Sequence, residues 1–519
     1  MTKKRLCIVG GGPSAIGLFW SLAQDRSTRD AWEVTIVHDQ PNLGGHCLTV
    51  DVPWKGSSYP IDIGVQLTCD LLNPNVSAML ATGDFPARVP IRDAGTLKLG
   101  CGFPRDAQGN QQNWGNFPQY QQGSQFALWN KPGMAADCAE LESFILVSPA
   151  VGYFEKTLGE YFNNPPHWMP AYQDLADFKY FFVDPYMSII NGYGSANLDQ
   201  MMFAELFPLF GRVPFFEGPL ASFTEPGNGW KRFVKGASSW VQAMYDLASA
   251  AMTTTLMTST SVKAVYPDQS GQVFVDWGET PVQSFDKVVM TTDMYTNANL
   301  LNNPNNHYWS SVFAGPVTAF LPGLQAGTCY IHSQAENILS PDLMNQEEVM
   351  QFTSYWGNGL PDSYTTYIQK NIVGAGADGL YVTMYGPTPN AEHVPSPSNV
   401  IYEQEFMHGM WSPSYATPAK TGLHTTLPRV LARAARTCRS VAFRRWARRA
   451  ASSSVSRKAA SPDWRWPLPR PIRISQCSRS EPAGFKPGPS RFSSASRYHR
   501  TASSGARLAS ARSAAWRAY

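Results

Sequence analysis

The chain has 519 residues, 43% of them hydrophobic, enough to bury a large core in more than one domain and too much apolar content for a wholly disordered protein. Its formal charge of +3 hides two opposed parts: residues 429–519 carry 21 of the 42 Lys and Arg but only two acidic residues, Asp463 and Glu481, leaving 21 − 37 = −16 for residues 1–428. Eight cysteines, at positions 7, 47, 69, 101, 138, 329, 438 and 477, form no CxxC pair and no cysteine–histidine cluster, which argues against a zinc or other metal site and predicts a reducing, cytoplasmic setting.

The chain opens on RLCIVGGGPSAIG, Arg5 to Gly17. An apolar run from Leu6 to Val9 passes into Gly10, Gly11 and Gly12 and then into helical spacing, so the segment predicts strand, glycine turn and helix. This is the pattern of a dinucleotide-binding unit. Gly10 permits the tight turn, Gly12 lets backbone approach a pyrophosphate, and Ala15 allows close packing of helix on strand. Pro13 and Ser14 begin the helix, whose dipole favours the two negative charges. Basic residues before an apolar run also resemble a secretory leader, but the three glycines interrupt it and no small-residue cleavage site follows.

A second strand, Glu33 to His38, arrives at the separation expected for the ribose-binding residue. The usual acid is replaced by His38, whose neutral ring can accept a single hydrogen bond, and Asp39 follows it. Use of Asp39 instead would require a bulge or twist, because adjacent strand residues point to opposite faces. A basic side chain here also leaves NADP open as the runner-up cofactor. LGGHC, Leu43 to Cys47, brings the glycine pair Gly44 and Gly45 together with His46. Two short strands follow around a turn at Lys55 to Ser58, the second being PIDIGVQ.

Further on, Cys101 to Trp129 is rich in Gln, Asn and Gly and reads as a long surface insertion. Asp137 to Phe162 has apolar residues at helical intervals, with Pro149 as a break, and Leu175–Phe182 and Met201–Phe210 continue in the same way. DPYMSIINGYG, Asp184 to Gly194, ends an apolar helix in turn residues; its aromatics, Tyr193 among them, suit either a pocket wall or ordinary packing. From Glu225 the chain reads as a glycine turn, a helix from about Ser238, a hairpin around Asp268–Gly271 and a strand in FDKVVMTTD. Phe313 to Tyr385 contains strands such as GLYVTMYG, and Val400 to Tyr415 is aromatic-rich. No run of 18 apolar residues suggests a transmembrane helix.

Residues 4 to about 416 resemble the flavin amine oxidase superfamily, on the strength of the glycine turn, LGGHC and PIDIGVQ. Within it, GGHC, DPYMSIINGYG and WKRFVKGASSWVQAMYDLA look most like FAD-dependent polyunsaturated fatty acid isomerases. The resemblance implies an α/β fold, a Rossmann-like FAD-binding domain with an inserted α+β substrate domain. FAD-binding parts are expected at 1–100 and 225–312, and substrate parts at 101–224 and 313–416. It implies that Gly44, Gly45 and His46 lie by the FAD diphosphate. Gly64 and Val65 would lie beside the flavin ring, although an ordinary strand with a bulge glycine explains them equally well. By the same resemblance Val262 contacts the adenine side through its backbone, and Trp411 and Tyr415 line the pocket. The activity implied is hydride transfer between a small apolar substrate, such as an unsaturated fatty acid, and flavin N5, in which the flavin does the chemistry and the protein orients and excludes water. No catalytic acid–base constellation is identified from the sequence.

The superfamily's closing Ala-Gly-acid motif is expected after about Leu427, where RVLARAARTCRSVAFRRWARRAAS stands instead. Residues 417–519 therefore read as a basic low-complexity tail, and the favoured explanation is out-of-frame sequence from a G+C-rich gene. Alternatives are an amine oxidase or other flavin dehydrogenase, an inactive flavoprotein-like product, and a basic-tailed nucleic-acid-binding protein, although a nucleic-acid partner is not expected. Oligomeric state is open.

Overall fold

The computed structural model describes residues 2–409 except 71–72, 95–97, 105–107, 110–112, 116–136, 138–139, 142–143, 146–147, 149–151, 154–155, 166–174, 192–194, 204–205, 207–229, 269, 279–281, 302–323, 341–349, 358–359 and 387–388. Along the first part of the chain, β1 (Lys4–Val9) leads into α1 (Pro13–Ala23), a short α2 (Arg26–Ala31) and β2 (Trp32–Val37). β3 (Thr49–Trp54) and β4 (Ser57–Asp62) form a hairpin in register from Thr49 opposite Asp62 to Trp54 opposite Ser57. Its turn is Lys55–Gly56, both at positive φ, shorter than the Lys55–Ser58 turn expected and of the primed geometry that matches strand twist.

Next come β5 (Thr68–Cys69), α3 (Pro74–Leu80), α4 (Phe85–Arg88), β6 (Ile91–Asp93), β7 (Leu99–Gly102) and β8 (Trp114–Gly115), then α5 (Leu158–Asn163), α6 (Leu175–Phe178) and α7 (Asp184–Asn191). Thr157 and Glu160 close a reciprocal capping box on α5. A π turn, Lys179–Val183, joins α6 to α7 and brings the Lys179 ammonium to 2.8 Å from both Asp184 and Asp199. The chain returns through β9 (Trp230–Phe233), α8 (Ser238–Ser249), β10 (Thr254–Met257), β11 (Ala264–Pro267), β12 (Val273–Asp276), β13 (Gln283–Phe285), β14 (Lys287–Met290) and α9 (Met294–Leu301). It ends in β15 (Leu324–His332), β16 (Met350–Gly357), β17 (Leu360–Ile368), α10 (Gln369–Ile372), β18 (Tyr381–Tyr385) and β19 (Val400–Gly409).

Two sheets dominate. A four-stranded parallel sheet has the order β10-β2-β1-β14, so distant segments of the chain flank its first strand. That is the Rossmann order, with its switch point between β1 and β14. A seven-stranded mixed sheet has the order β19-β15-β18-β17-β16-β7-β8, antiparallel apart from the β7–β16 pair. The fold is thus α/β, a Rossmann-like unit with a parallel sheet plus an additional mixed-sheet unit.

One segment differs from its sequence reading. The start of the Cys101–Trp129 stretch is sheet interior: β7 pairs with β16 and β8, and Cys101 is fully buried. A four-residue strand with two glycines has no readable periodicity, and its main partner lies some 250 positions away, so local pattern could not reveal it.

Each sheet has its own core. α1 and α8 pack together over the parallel sheet through Ile16, Phe19, Trp240, Val241 and Met244, with the Phe19 and Tyr245 rings 5.9 Å apart. Beneath the mixed sheet, Cys329, Ile331, Phe352, Val382, Met384 and Phe406 meet Tyr161, Phe178, Phe182, Tyr186 and Met187 of the helices. Phe19 is fully buried between the two helices beside the glycine turn. Phe19→Ala is expected to lower unfolding free energy by about 3–5 kcal/mol, measured by urea denaturation.

Candidate functional site

The carboxyl ends of the four parallel strands converge, and each is followed at once by a residue of the site: Gly10 after β1, His38 after β2, Thr258 after β10 and Thr291 after β14. Ligands of open α/β sheets bind at this edge, where the strand order reverses. Gly10 N–H donates to Val37 O (2.8 Å), and Thr291 closes the opposite side by donating its amide and its hydroxyl to Val9 O.

Gly12 is the N-cap of α1, and Pro13 is its first residue, where the missing N–H costs nothing. No side chain caps this helix, and its first turn holds no acid. Its opening amides and positive dipole end therefore form a position that favours an anion, with Ser14 exposed and Ala15 buried against the sheet.

LGGHC meets this turn backbone to backbone, while its Leu43 and Cys47 side chains join the α1 core. Gly44 N–H donates to Gly11 O at 3.0 Å. A Cβ on Gly45, at φ +54°, would lie 2.9 Å from Gly12 Cα, so any side chain there would force the two loops apart. The sequence thus brings Gly10, Gly12, Gly44 and Gly45 into one cradle whose shape depends on missing side chains.

His46 follows. Its carbonyl accepts from Val65 N–H at 3.0 Å, and a Cβ on Gly64 would strike that carbonyl. Gly64 is required by this contact, a reason internal to the chain. Val65 itself is 37% exposed, an apolar side chain presented at the edge of the cradle. The His46 ring is solvent-accessible yet enclosed by dense surroundings, as on the wall of a cleft. Desolvation lowers its pKa against the opposing pull of the Asp293 carboxylate. Phe406 of β19 meets the His46 ring edge-on at 4.9 Å, so the mixed sheet reaches the glycine cradle.

At the ribose position β2 ends at Val37, one residue earlier than expected, and His38 and Asp39 are freed from strand alternation. The buried His38 ring lies directly over Gly11; Nε2 is 3.1 Å from Asn42 O and Nδ1 is 3.4 Å from Asp39 Oδ1. Burial lowers the His38 pKa, with Asp39 and the Asn42 carbonyl pulling the other way, so at neutral pH the ring is uncharged. A neutral ring that donates from Nε2 offers Asp39 no proton, and the Asp39 side chain, 59% exposed, is open to other donors. Val262 lies in the segment after β10, packed beside the core that contains Cys7, Val9 and Val37. Two residues upstream Thr260 N–H donates to His38 O, and Ser259 N–H to Gln40 O. Tyr193, Trp411 and Tyr415 lie outside the described residues, as do residues 417–519.

Residues missed in sequence include Thr291, Asp293 and a buried group around Asp62. Thr291 was findable: it follows the last strand of a Rossmann pattern. Asp62, at the end of β4, is 2% exposed; its Oδ1 accepts from Thr49 Oγ1 (2.6 Å) and from Ala237 N–H (2.7 Å). Among the described residues no group of three His, Cys, Asp or Glu is placed to hold a metal, and no helix is long and apolar enough to cross a membrane.

Residues 8–82 match the family model of the NAD(P)-binding Rossmann-like domain. The matched span contains both glycine loops, His38, Asp39, Gly64 and Val65, and it identifies this part of the chain as a dinucleotide-binding Rossmann unit. No curated protein sequence matches the chain. Among solved structures, the "putative protoporphyrinogen oxidase" of Exiguobacterium sp. superposes with a TM-score of 0.51 at 16% identity, over 81% of this chain and 90% of that one. An oxidoreductase from Methanosarcina mazei is 12% identical with a TM-score of 0.48, covering 79% of this chain and 89% of that one. Rab GDI from Plasmodium falciparum is 12% identical with a TM-score of 0.39, covering 79% and 90%. At 16% identity the likeness to the Exiguobacterium structure is one of architecture.

Burial raises the Asp62 pKa from 3.8 to about 7, opposed by the Thr49 and Ala237 hydrogen bonds and the Arg232 charge. Because the folded value exceeds the unfolded one, Asp62's contribution to stability is greatest below pH 4. It is lost as pH rises towards 7, and the loss by linkage amounts to at most about 4 kcal/mol. Asp62→Asn should remove that part of the pH dependence, read as a flatter profile of unfolding free energy between pH 4 and 8.

Proposed function

We propose that the chain is an FAD-dependent oxidoreductase or isomerase of the flavin amine oxidase type. It would move a hydride between a small apolar substrate and flavin N5, and an unsaturated fatty acid is the substrate class we favour. The observation that carries this reading is the double glycine cradle at an uncapped helix N-terminus, with Gly45 held against Gly12. A side chain on Gly45 would drive the two loops apart and change the gap at the helix N-terminus, so the residues present fit a dinucleotide. FAD rather than a nicotinamide cofactor is favoured by the second glycine pair and by the wall of His46, Gly64 and Val65 beyond it.

In this reading Gly10, Gly12, Gly44, Gly45 and the first amides of α1, after Pro13 at Ser14 and Ala15, hold the diphosphate. Asp39 takes the ribose hydroxyls and His38 packs beneath it, while the backbone near Val262 borders the adenine. Asp39 also disfavours NADP, because its carboxylate would repel a 2′-phosphate. Val65 and the sheet face around Phe406 keep water from the reacting region. When bound, the flavin supplies the hydride acceptor and donor. Five described cysteines are buried and joined by no disulfide, in keeping with a cytoplasmic location as part of the same proposal.

The full-length protein is expected to purify yellow, or to take up added FAD, and to release FAD on denaturation. Asp39→Ala should weaken FAD binding about tenfold, a loss typical of charge-assisted hydrogen bonds, while NADP fails to compete. A folded protein that neither carries nor takes up FAD would overturn the reading. Incubation with linoleate separates its branches: conjugated-diene absorbance without peroxide supports the isomerase, and peroxide formed from amines supports an oxidase.

A further inference from the structure

The chain between β4 and β5 is pinned from two sides by one residue. Asp62 and Thr49 are cross-strand partners, and together they take both leading amides of α8: Ala237 N–H goes to Asp62 Oδ1 at 2.7 Å and Ser238 N–H to Thr49 Oγ1 at 2.9 Å. The N-cap of α8 is Ala237, which has no capping group of its own, so the cap is supplied in trans. The Thr49 hydroxyl spends its proton on Asp62 Oδ1 at 2.6 Å, which leaves its lone pairs for Ser238. Gly236, at φ +79°, makes the approach possible, because a Cβ there would run into the Thr49 side chain.

The main chain of Asp62 acts in the opposite direction. Its carbonyl accepts from Gln66 Nε2, which closes residues 62–66 into a tight loop with Gly64 and Val65 at its centre. Gln66 Oε1 in turn accepts from Gln369 Nε2 at 3.4 Å, and Gln369 is the fully buried first residue of α10, directly after β17 of the mixed sheet. Arg232 reinforces the same junction by donating to Pro60 O at 3.0 Å, while its other nitrogen faces the Ile372 and Val373 carbonyls at the end of α10.

We infer that Asp62 is a positioning residue: its side chain fastens α8, its carbonyl fastens Gln66, and the Gly64–Val65 wall of the cofactor site is held in register between the Rossmann unit and the mixed sheet. The role of that wall rests on the function proposed above; the clamp itself does not. Both side-chain hydrogen bonds fall on Oδ1, so an amide of the same shape can replace the carboxyl. The required feature is an acceptor at this point, and a negative charge is not needed.

The test compares full-length wild type, Asp62→Ala, Asp62→Asn and Thr49→Val by hydrogen–deuterium exchange without added cofactor. Asp62→Ala should raise exchange about tenfold or more in peptides spanning 62–66 and 237–239, in line with loss of a buried acceptor, while the α8 core around Val241–Met244 stays protected and shows that the protein is folded. Thr49→Val should give a milder change at the same places, and at about pH 4, where the Asp62 contribution is intact, Asp62→Asn should match wild type. Unchanged exchange at 62–66 in both Asp62→Ala and Thr49→Val would overturn the inference, as would an Asp62→Asn protein as loose as the alanine variant. If Asp62→Ala fails to fold, Thr49→Val against Asp62→Asn decides the same question. A parallel FAD titration reads the consequence: a weaker complex and a shifted visible spectrum for Asp62→Ala and not for Asp62→Asn. Failure of wild type to bind FAD would sink the flavin reading and leave the exchange result standing.

Discussion

Gly45 lies against Gly12, and the Gly44 amide is hydrogen-bonded to the Gly11 carbonyl. This meeting of bare backbone makes the strand–turn–helix opening and LGGHC a single object. From it the other positions follow. The helix N-terminus points its amides at the gap, the His46 carbonyl sets the Val65 amide, and Phe406 closes on the His46 ring. Replace Gly45 by a residue with a side chain and the rest of the site loses its reference point.

Such a contact contributes little energy itself, since one backbone hydrogen bond nets about 1 kcal/mol. It persists because larger interactions around it leave the loops no alternative. The α1–α8 core fixes the helix, Thr291 ties β14 to the end of β1, and Asp62 joins the hairpin to α8. On the far side, the aromatic core under the mixed sheet fixes β19 and with it Phe406. Apolar burial thus supplies stability, and the polar contacts convert it into placement.

How much of this was legible in the sequence depended on the range of each interaction. Leu6–Val9 followed by three glycines, the helix from Ser238 and the hairpin at Asp268–Gly271 are local patterns, and the described elements occur there. His38 and Asp39 were visible as an anomaly, but the end of β2 at Val37 and the partners of the imidazole, which bear on the choice between them, are not written in residue order. Gly64 carried a readable signal, but the His46 carbonyl, an atom that demands a glycine there, is not marked in residue order. Asp62 looked like an ordinary strand residue, since its partner Ala237 is 175 positions away. β7 was hidden for the same reason, its partner being remote and its composition that of a loop.

The central claim is that two glycine loops form one diphosphate cradle. A double-mutant cycle tests it most directly: FAD affinity is measured for wild type, Gly12→Ala, Gly45→Ala and the double variant. The account predicts strong coupling, with the double variant binding no worse than the weaker single one, because Gly45→Ala already opens the contact with Gly12 into which a Gly12 side chain would project. Losses that simply add, or a Gly45→Ala protein that binds FAD as wild type does, would show that the two loops act separately and would contradict it.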